Sequence, residues 1–300
     1  MKTKIPTVSI GIAAHNEAKN IVYLLRTLLK QNQNRWKLEE ILVYCDGCTD
    51  NTAALARSVG SKYIHVVDDG KRLGKVGRIN QINTVAKGSI ISIFDADLKI
   101  GHANVITDLV HAFENDKIAL VGGNTQPVQP ASFFQRAVYS TFLVFERSRK
   151  YLHNGDNIFG CNGGCIAYRK TFAKLVRIPN VINEDDFLYF SCLKNNLVFK
   201  HVPTAVVYYK LPNTLKDYLS QTFRSNPEAV TLNFTKYFGD RVSVEYHRPF
   251  MFLVHSIWLS FLTYPVETLY ITIINMFTKP LFPLISTRYK LEWYVAMSTK

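Results

Sequence analysis

The chain has 300 residues, 47% of them hydrophobic and 20% charged, with a formal net charge of +13. Its length suits one large α/β domain, or one domain with a smaller appendage, and its composition excludes general disorder. The positive excess suits an anionic partner such as a phosphorylated donor, acidic lipid headgroups or nucleic acid.

Met1-Lys-Thr-Lys-Ile-Pro6 lacks the apolar stretch of a signal peptide, so the active domain is expected to face the cytoplasm. Val8–Ile12, rich in β-branched residues and bounded by Pro6 and a polar stretch ending at Glu17, reads as a buried strand. Ile21, Leu24, Leu25, Leu28 and Leu29 have helical spacing and predict a helix over Asn20–Gln31. Ile41–Tyr44 is a second strand, and Asp46-Gly-Cys-Thr-Asp50 a turn leading into a helix from Ala53 to Val59 that stops at Gly60. Tyr63–Val67 is a third strand, Ile79–Ala86 a helix and Ser89–Phe94 a fourth strand, with Asp95-Ala-Asp97 at its carboxyl end. A helix at Ala103–Phe113 and a strand at Ile118–Val121 follow.

This alternation argues for an α/β fold with a mostly parallel central sheet. Ligands of such sheets bind beyond the strands' carboxyl ends, where Glu17, Asp46, Asp95 and Asp97 would share one rim. Past Phe133 the pattern changes to an aromatic, basic helical stretch over 133–152, a glycine-rich loop Gly160-Cys-Asn-Gly-Gly164, and a helix opening with Glu184-Asp185-Asp186. No internal repeat or low-complexity tract interrupts the chain. Five cysteines in a chain this long make no disulfide framework, and the odd count fits a reducing compartment. The pairs Cys45/Cys48 and Cys161/Cys165 offer four thiolates to zinc, but both lie in segments with another explanation.

Two carboxylates one residue apart at a strand end can reach one divalent cation, and Mn2+ or Mg2+ takes such oxygen ligands while bridging to substrate phosphates. An isolated Asp-x-Asp is also a common turn or cap. Here it is the last of four strings: Ala13-Ala-His-Asn-Glu17, Tyr44-Cys-Asp-Gly-Cys-Thr-Asp50, Gly74-Lys-Val-Gly-Arg-Ile-Asn80 and Phe94-Asp-Ala-Asp97. In this order and spacing they resemble the donor half of family-2 glycosyltransferases of the GT-A fold. The usual strings there are roughly P-x-Y-N-E, D-D-G-S-x-D-x-T, G-K-x-x-A-L-N and D-x-D. The resemblance runs on through Glu184-Asp185 and Gln221-Thr-Phe-Arg224, covering about residues 7–226. It implies a Rossmann-like nucleotide-binding domain at 1–230, with a donor half at 1–125 and an acceptor half at 126–230, followed by a hydrophobic helical tail at 231–300.

Carried across residue by residue, the resemblance implies that Asp46 accepts from the nucleobase, typically uracil. Ala14 and Glu17 would lie beside base and ribose, and Lys75 near the base or phosphates. Asp95 would contact ribose or metal, and Asp97 would coordinate the metal directly. Glu184-Asp-Asp-Phe-Leu188 is similar to the family's E-D-x-x-L string, which nominates Asp185 as catalytic base, with Asp186 as fallback because adjacent acids leave the register open. A base without a nucleophile implies direct displacement with inversion at the anomeric carbon. Gly163 and Gly164 fall in a loop resembling the acceptor-side loop. Gln221 and Arg224 resemble Q-x-x-R-W, Arg224 pairing with the diphosphate, but Ser225 stands where tryptophan belongs and argues against a long polymer product.

Residues 249–277 are the most apolar part, with His255 and Glu267 their only charge-bearing side chains and Pro265 dividing them. The stretch before Pro265 falls short of the roughly twenty residues that span a bilayer, so a kinked span, two interfacial or re-entrant helices and a buried pair stay open. With Trp258 and the tyrosines suited to a headgroup level, and Arg288 and Lys290 nearby, the expectation is association with a membrane surface. The acceptor would then be a glycan or a lipid-linked molecule.

Rival readings fit less well. A nucleotidyltransferase would carry a glycine-rich, basic phosphate loop where Ala13–Glu17 stands, and no G-x-G-x-x-G follows an early strand as a dinucleotide enzyme needs. An inactive sugar- or lipid-binding relative would not need Asp95, Asp97 and Asp185 together. Nucleic-acid binding would explain the charge but none of the acidic motifs, so no nucleic-acid partner is expected.

Overall fold

The computed structural model describes residues 5–224 and 227–278, with side chains described except at 154, 223–224 and 227–232. Met1–Lys4, Ser225, Arg288 and Lys290 therefore lie outside the described residues or side chains. The described chain forms two compact units, one of residues up to 126 with 160–209, the other of 127–159 with 210 onward. This differs from the contiguous split at 230 expected above, because one long helix leaves the sheet between two of its strands.

In chain order the first unit runs β1 (Thr7–Ala14), α1 (Ile21–Leu29), β2 (Lys37–Cys45), α2 (Thr52–Ser58), β3 (Ile64–Asp68), α3 (Gly74–Val85), β4 (Ile90–Phe94), β5 (Lys99–Ile100), α4 (Val105–His111) and β6 (Ile118–Pro127). The second unit then supplies α5 (Phe133–Tyr151). The chain returns with β7 (Cys165–Arg169), α6 (Lys170–Leu175), α7 (Glu184–Lys194) and β8 (Val198–Tyr209). It closes in the second unit with α8 (Leu215–Arg224), α9 (Pro227–Phe238), α10 (Arg241–Tyr246), α11 (Phe250–Thr263) and α12 (Pro265–Thr278).

The eight strands form one sheet in the order β3-β2-β1-β4-β7-β6-β8-β5. β1 pairs in parallel with β2 and β4, and β2 with β3, so the parallel half is the one that the alternation of elements predicts. β7 runs antiparallel to β4 and β6, and β5 antiparallel to β8, which makes the whole a mixed α/β sheet. β1 is buried from Val8 to Ala14, as a strand covered on both faces must be. α1 buries Ile21, Leu24, Leu25 and Leu28 on one stripe against that core.

Two elements differ from expectation for identifiable reasons. α3 starts at Gly74, not Ile79, because a distant carboxylate caps it: Asp46 accepts from the N–H groups of Leu73 and Gly74. Gly74 enters at φ +75, a conformation that glycine adopts without strain. β6 continues past Val121 to Pro127 through two glycines that carry no strand signal, its first part held by pairing of Leu120–Gly122 with β7.

In the second unit α11 and α12 pack on α5, and their polarity is inverted. The side chains buried there are Ser256 and Ser260 on α11 and Thr268 and Ile271 on α12. Arg147 of α5 donates to the Ser256 carbonyl at 2.6 Å and the Ser260 hydroxyl at 2.7 Å, while Arg136 pairs with Glu267 at 2.7 Å. The apolar side chains point outward, Phe250 at 76% and Trp258 at 55% exposure. No helix among the described residues is long and apolar enough to cross a membrane.

Candidate active site

Because β1, β2 and β4 are parallel and adjacent, their carboxyl ends at Ala14, Cys45 and Phe94 open onto one edge of the sheet. Glu17, Asp46, Asp95 and Asp97 all leave from that edge. β7 adds the next piece. Its antiparallel register sets Phe94 opposite Cys165, and the Asp95 N–H donates to the Gly164 carbonyl at 3.0 Å. The glycine loop predicted for the acceptor side thus lies directly against the acidic motif.

Lys75, in the first turn of α3, joins the two acidic strings. Its Nζ lies 2.6 Å from Asp95 Oδ1 and 2.7 Å from Glu184 Oε1. Burial works against the charge on Lys75, but the two carboxylates outweigh it and hold the ammonium well above the usual lysine range. The Asp97 carboxyl is pushed up to about 7 by burial and by the neighbouring charges of Asp95 and Glu17, with Lys75 acting in the opposite direction. Asp95 and Glu184 thus share the Lys75 ammonium.

The adjacent acids differ in their partners. Glu184 and Asp186 are buried, and Asp186 accepts from the Asn183 side-chain amide at 2.8 Å. Asp185 is half-buried, and its Oδ2 accepts from the Gly163 N–H at 2.7 Å. Burial raises its pKa well above the ordinary carboxylate value, and Asp186 and Glu184 raise it further. A Cβ at Gly163 would stand 2.8 Å from Glu184 Oε1 and 3.2 Å from Asp185 Oδ2, so any larger residue there would displace one or both carboxylates.

On the nucleotide side the outcome is different. Asp46 is wholly buried, and besides the Leu73 and Gly74 N–H groups it accepts from Arg78 Nε at 3.1 Å. Arg78, equally buried, also holds Asp69 through both terminal nitrogens, at 3.1 and 2.7 Å. Asp46 thus turns into the protein and ties down the 69–74 loop through these bonds. Its backbone N–H donates to the Ala14 carbonyl at 2.8 Å, and its own carbonyl contacts His15 Nδ1 at 2.7 Å. Glu17 is buried, its N–H bonded to Thr52 Oγ1 at 2.7 Å and its Oε2 to the Asn20 amide at 2.8 Å. Asp50 accepts from the Thr52 and Ala18 N–H groups, which ties the β2–α2 turn to the segment after β1.

Sequence reasoning missed Arg78 and Thr125. The signal for Arg78 was its place in Gly74–Asn80, where the family string has alanine. Thr125, on β6, has a buried hydroxyl without a hydrogen-bond partner in the structure, and its methyl would lie 3.6 Å from a Cβ at Gly164, with Asp95 Oδ2 at 3.7 Å. No sequence pattern marks it. Gln221 and Arg224 are on α8 in the second unit, the Arg224 side chain outside those described. All five cysteines are free thiols, and no group of three or more His, Cys, Asp or Glu poised to hold a metal ion occurs among the described residues. Asp95 and Asp97, close enough for the Asp95 charge to act on Asp97, are the oxygen ligands that a hard divalent cation completing its shell from substrate and water would use.

A family model described as Glycosyl transferase family 2 matches residues 9–176. A 4,4'-diaponeurosporenoate glycosyltransferase of Staphylococcus aureus is 34% identical over 110 residues, which is 36% of this chain and 28% of that protein. The chain thus matches less than a third of that relative's length. A mannosyltransferase of Pyrobaculum calidifontis, solved with GDP-Man and Mn2+, superimposes with a TM-score of 0.61 at 17% identity, covering 95% of this chain and 80% of its own. A glucosyl-3-phosphoglycerate synthase of Mycobacterium tuberculosis, solved with Mn2+ and UDP-glucose, gives 0.53 at 15% identity over 77% of this chain and 79% of its own. At such identities these structures speak for the fold alone.

Proposed function

The chain belongs to glycosyl transferase family 2, and on that premise we propose that it transfers a sugar, with inversion, from a nucleoside-diphosphate donor to a glycan or lipid-linked acceptor. The observation that carries this reading is the convergence of Lys75, Asp95, Glu184 and the Gly163-bound Asp185 on one strand-end rim. Asp185 takes the proton of the acceptor hydroxyl as its oxygen attacks the anomeric carbon and the bond to the diphosphate breaks. A carboxylate with a raised pKa is the stronger base for this step. Mn2+ or Mg2+ held by Asp97 and Asp95 would supply neutralisation of the leaving diphosphate. Lys75 adds positive charge toward the same phosphates. Ala14 and Glu17 line the nucleotide side, and Asp46 supports it from behind through Arg78 and the 69–74 loop. Gly163 and Gly164 belong to the acceptor side.

Complexes of the same fold with GDP-Man and with UDP-glucose, both with Mn2+, support a nucleotide-sugar donor and a divalent metal. UDP is the nucleotide that the motif pattern favours. The outward apolar faces of α11 and α12 support association with a membrane surface, which suits a lipid-linked acceptor.

The test is a donor screen with UDP- and GDP-sugars that scores nucleoside diphosphate release, with and without divalent metal. Release is expected to require metal and to fall by at least about 100-fold in Asp97→Ala, the scale of losing one transition-state charge partner. Turnover unaffected by chelation and by that substitution would sink the metal-dependent mechanism.

A further inference from the structure

The bridge from Lys75 to Asp95 and Glu184 uses up an oxygen that the proposed reading assigns to the metal and diphosphate. Lys75 lies in the first turn of α3, where the helix macrodipole disfavours a cation, so its side chain is held there by its partners. Those partners are unequal. The Glu184 side chain is 6% exposed and enclosed by the protein, while the Asp95 side chain is 30% exposed. The open end of the bridge is therefore at Asp95, and the closed end at Glu184.

We infer that Lys75 is the resident counter-ion of the acidic site, and that it keeps Asp95 from a divalent cation until a nucleoside diphosphate arrives to receive the ammonium. In the ligand-free protein one flexible cation satisfies Asp95. An incoming diphosphate offers Lys75 an alternative anion, and the ammonium pivots about Glu184 toward it. Asp95 is then free to join Asp97 as a metal ligand. Metal and nucleotide binding are thereby coupled, each strengthening the other by the same factor. The same movement joins the donor side to the string that carries Asp185, because Glu184 is the pivot. This inference rests on the metal-dependent transferase reading above and adds to it the order in which the site fills.

The experiment titrates the full chain with Mn2+ alone, with Mn2+ and UDP, and with Mn2+ and GDP. Free Mn2+ is read by electron paramagnetic resonance, with the nucleotide's own Mn2+ binding subtracted. In wild type, nucleotide is expected to tighten Mn2+ binding by about tenfold or more, within the usual range for coupled sites. Lys75→Met is expected to bind Mn2+ alone about tenfold more tightly than wild type does, with a smaller gain from nucleotide. Lys75→Arg, which keeps a cation at the position, should retain the wild-type pattern. Circular dichroism checks each fold, and Lys75→Gln replaces Lys75→Met if that variant does not fold. Lys75→Met binding Mn2+ alone no more tightly than wild type, while nucleotide still strengthens binding in wild type, overturns the counter-ion role and leaves the metal reading standing. Absence of Mn2+ binding in every protein with either nucleotide overturns both.

Discussion

In the first unit the apolar side chains of β1, β2 and β4 lie inside, and the carboxylates gather where those strands end. In α11 and α12 the arrangement is reversed, with Ser256, Ser260, Thr268 and the Arg136–Glu267 pair turned toward α5, and Phe250, Trp258 and Leu262 turned outward. The comparison teaches that hydrophobic content alone does not say where a segment belongs. β1 and α11 are both strongly apolar, yet one is enclosed by its own sheet and the other offers its apolar side to the surroundings. Glu40, Asp46 and Glu184, buried in the first unit, are each matched by a donor or an ammonium, as burial of charge demands. Outward apolar groups in α11 and α12 have no such match within the helix pair.

The largest expected effect tests whether the charges of the first unit serve chemistry. Asp185→Asn removes the proton acceptor while keeping a side chain that can accept from the Gly163 N–H. Transfer should fall by about 100- to 10,000-fold, the usual worth of a positioned general base, while UDP affinity changes by about twofold at most. Initial rates with the best donor, alongside a UDP titration, separate the two. Asp186, turned inward to Asn183, should matter to stability more than to rate. Normal transfer by Asp185→Asn would move the base to Asp186 or elsewhere.

The second expected effect concerns the buried support behind the rim. Arg78→Met leaves Asp46 buried without its guanidinium, and removing one partner of a fully buried pair typically costs about 3–5 kcal/mol. Urea unfolding of the first-unit signal should show that loss. A change under about 1 kcal/mol would mean that the Leu73 and Gly74 N–H groups suffice for Asp46, and that the network is not what fixes the 69–74 loop.

How far the sequence disclosed all this depends on the range of the interactions involved. The parallel half of the sheet was legible because Val8–Ile12, Ile41–Tyr44 and Ser89–Phe94 are short apolar runs bounded by turn residues, a local pattern. The start of α3 was not, because its cap is Asp46, which is far away in sequence. β7 and β8 went unread because strands of the antiparallel half draw their pairing from residues far along the chain, as Phe94 does from Cys165. The acidic residues of the site were legible as residue types at strand and helix ends, but their partners were not. That Lys75 would bridge Asp95 and Glu184, and that Asp46 would be enclosed by Arg78, are matters of side-chain packing across separate elements. The different partners of the adjacent acids, Gly163 for Asp185 and Asn183 for Asp186, were likewise not legible.

The smallest effects per residue are expected on the outward face of α11, and they test the other half of the comparison. Each of α11 and α12 has 14 residues, about 21 Å of helix, against a hydrocarbon core of about 30 Å. Their outward side chains therefore suit one apolar boundary rather than a crossing. Met251→Ser, Trp258→Ser and Leu262→Ser remove exposed apolar surface without touching the Arg147 or Arg136 contacts. Folding stability should stay within about 0.5 kcal/mol of wild type, as for exposed positions generally. Binding to phosphatidylglycerol-containing vesicles should weaken by roughly 1 kcal/mol for each substitution, about fivefold, since each withdraws apolar area from the lipid boundary. Ser260→Leu, on the inward face, should do the opposite: it costs stability by crowding Arg147 and leaves vesicle binding unchanged. If the outward substitutions instead unfold the protein while vesicle binding per folded molecule holds, that face is covered by protein, and the inversion of polarity reports an interface between chains or chain segments.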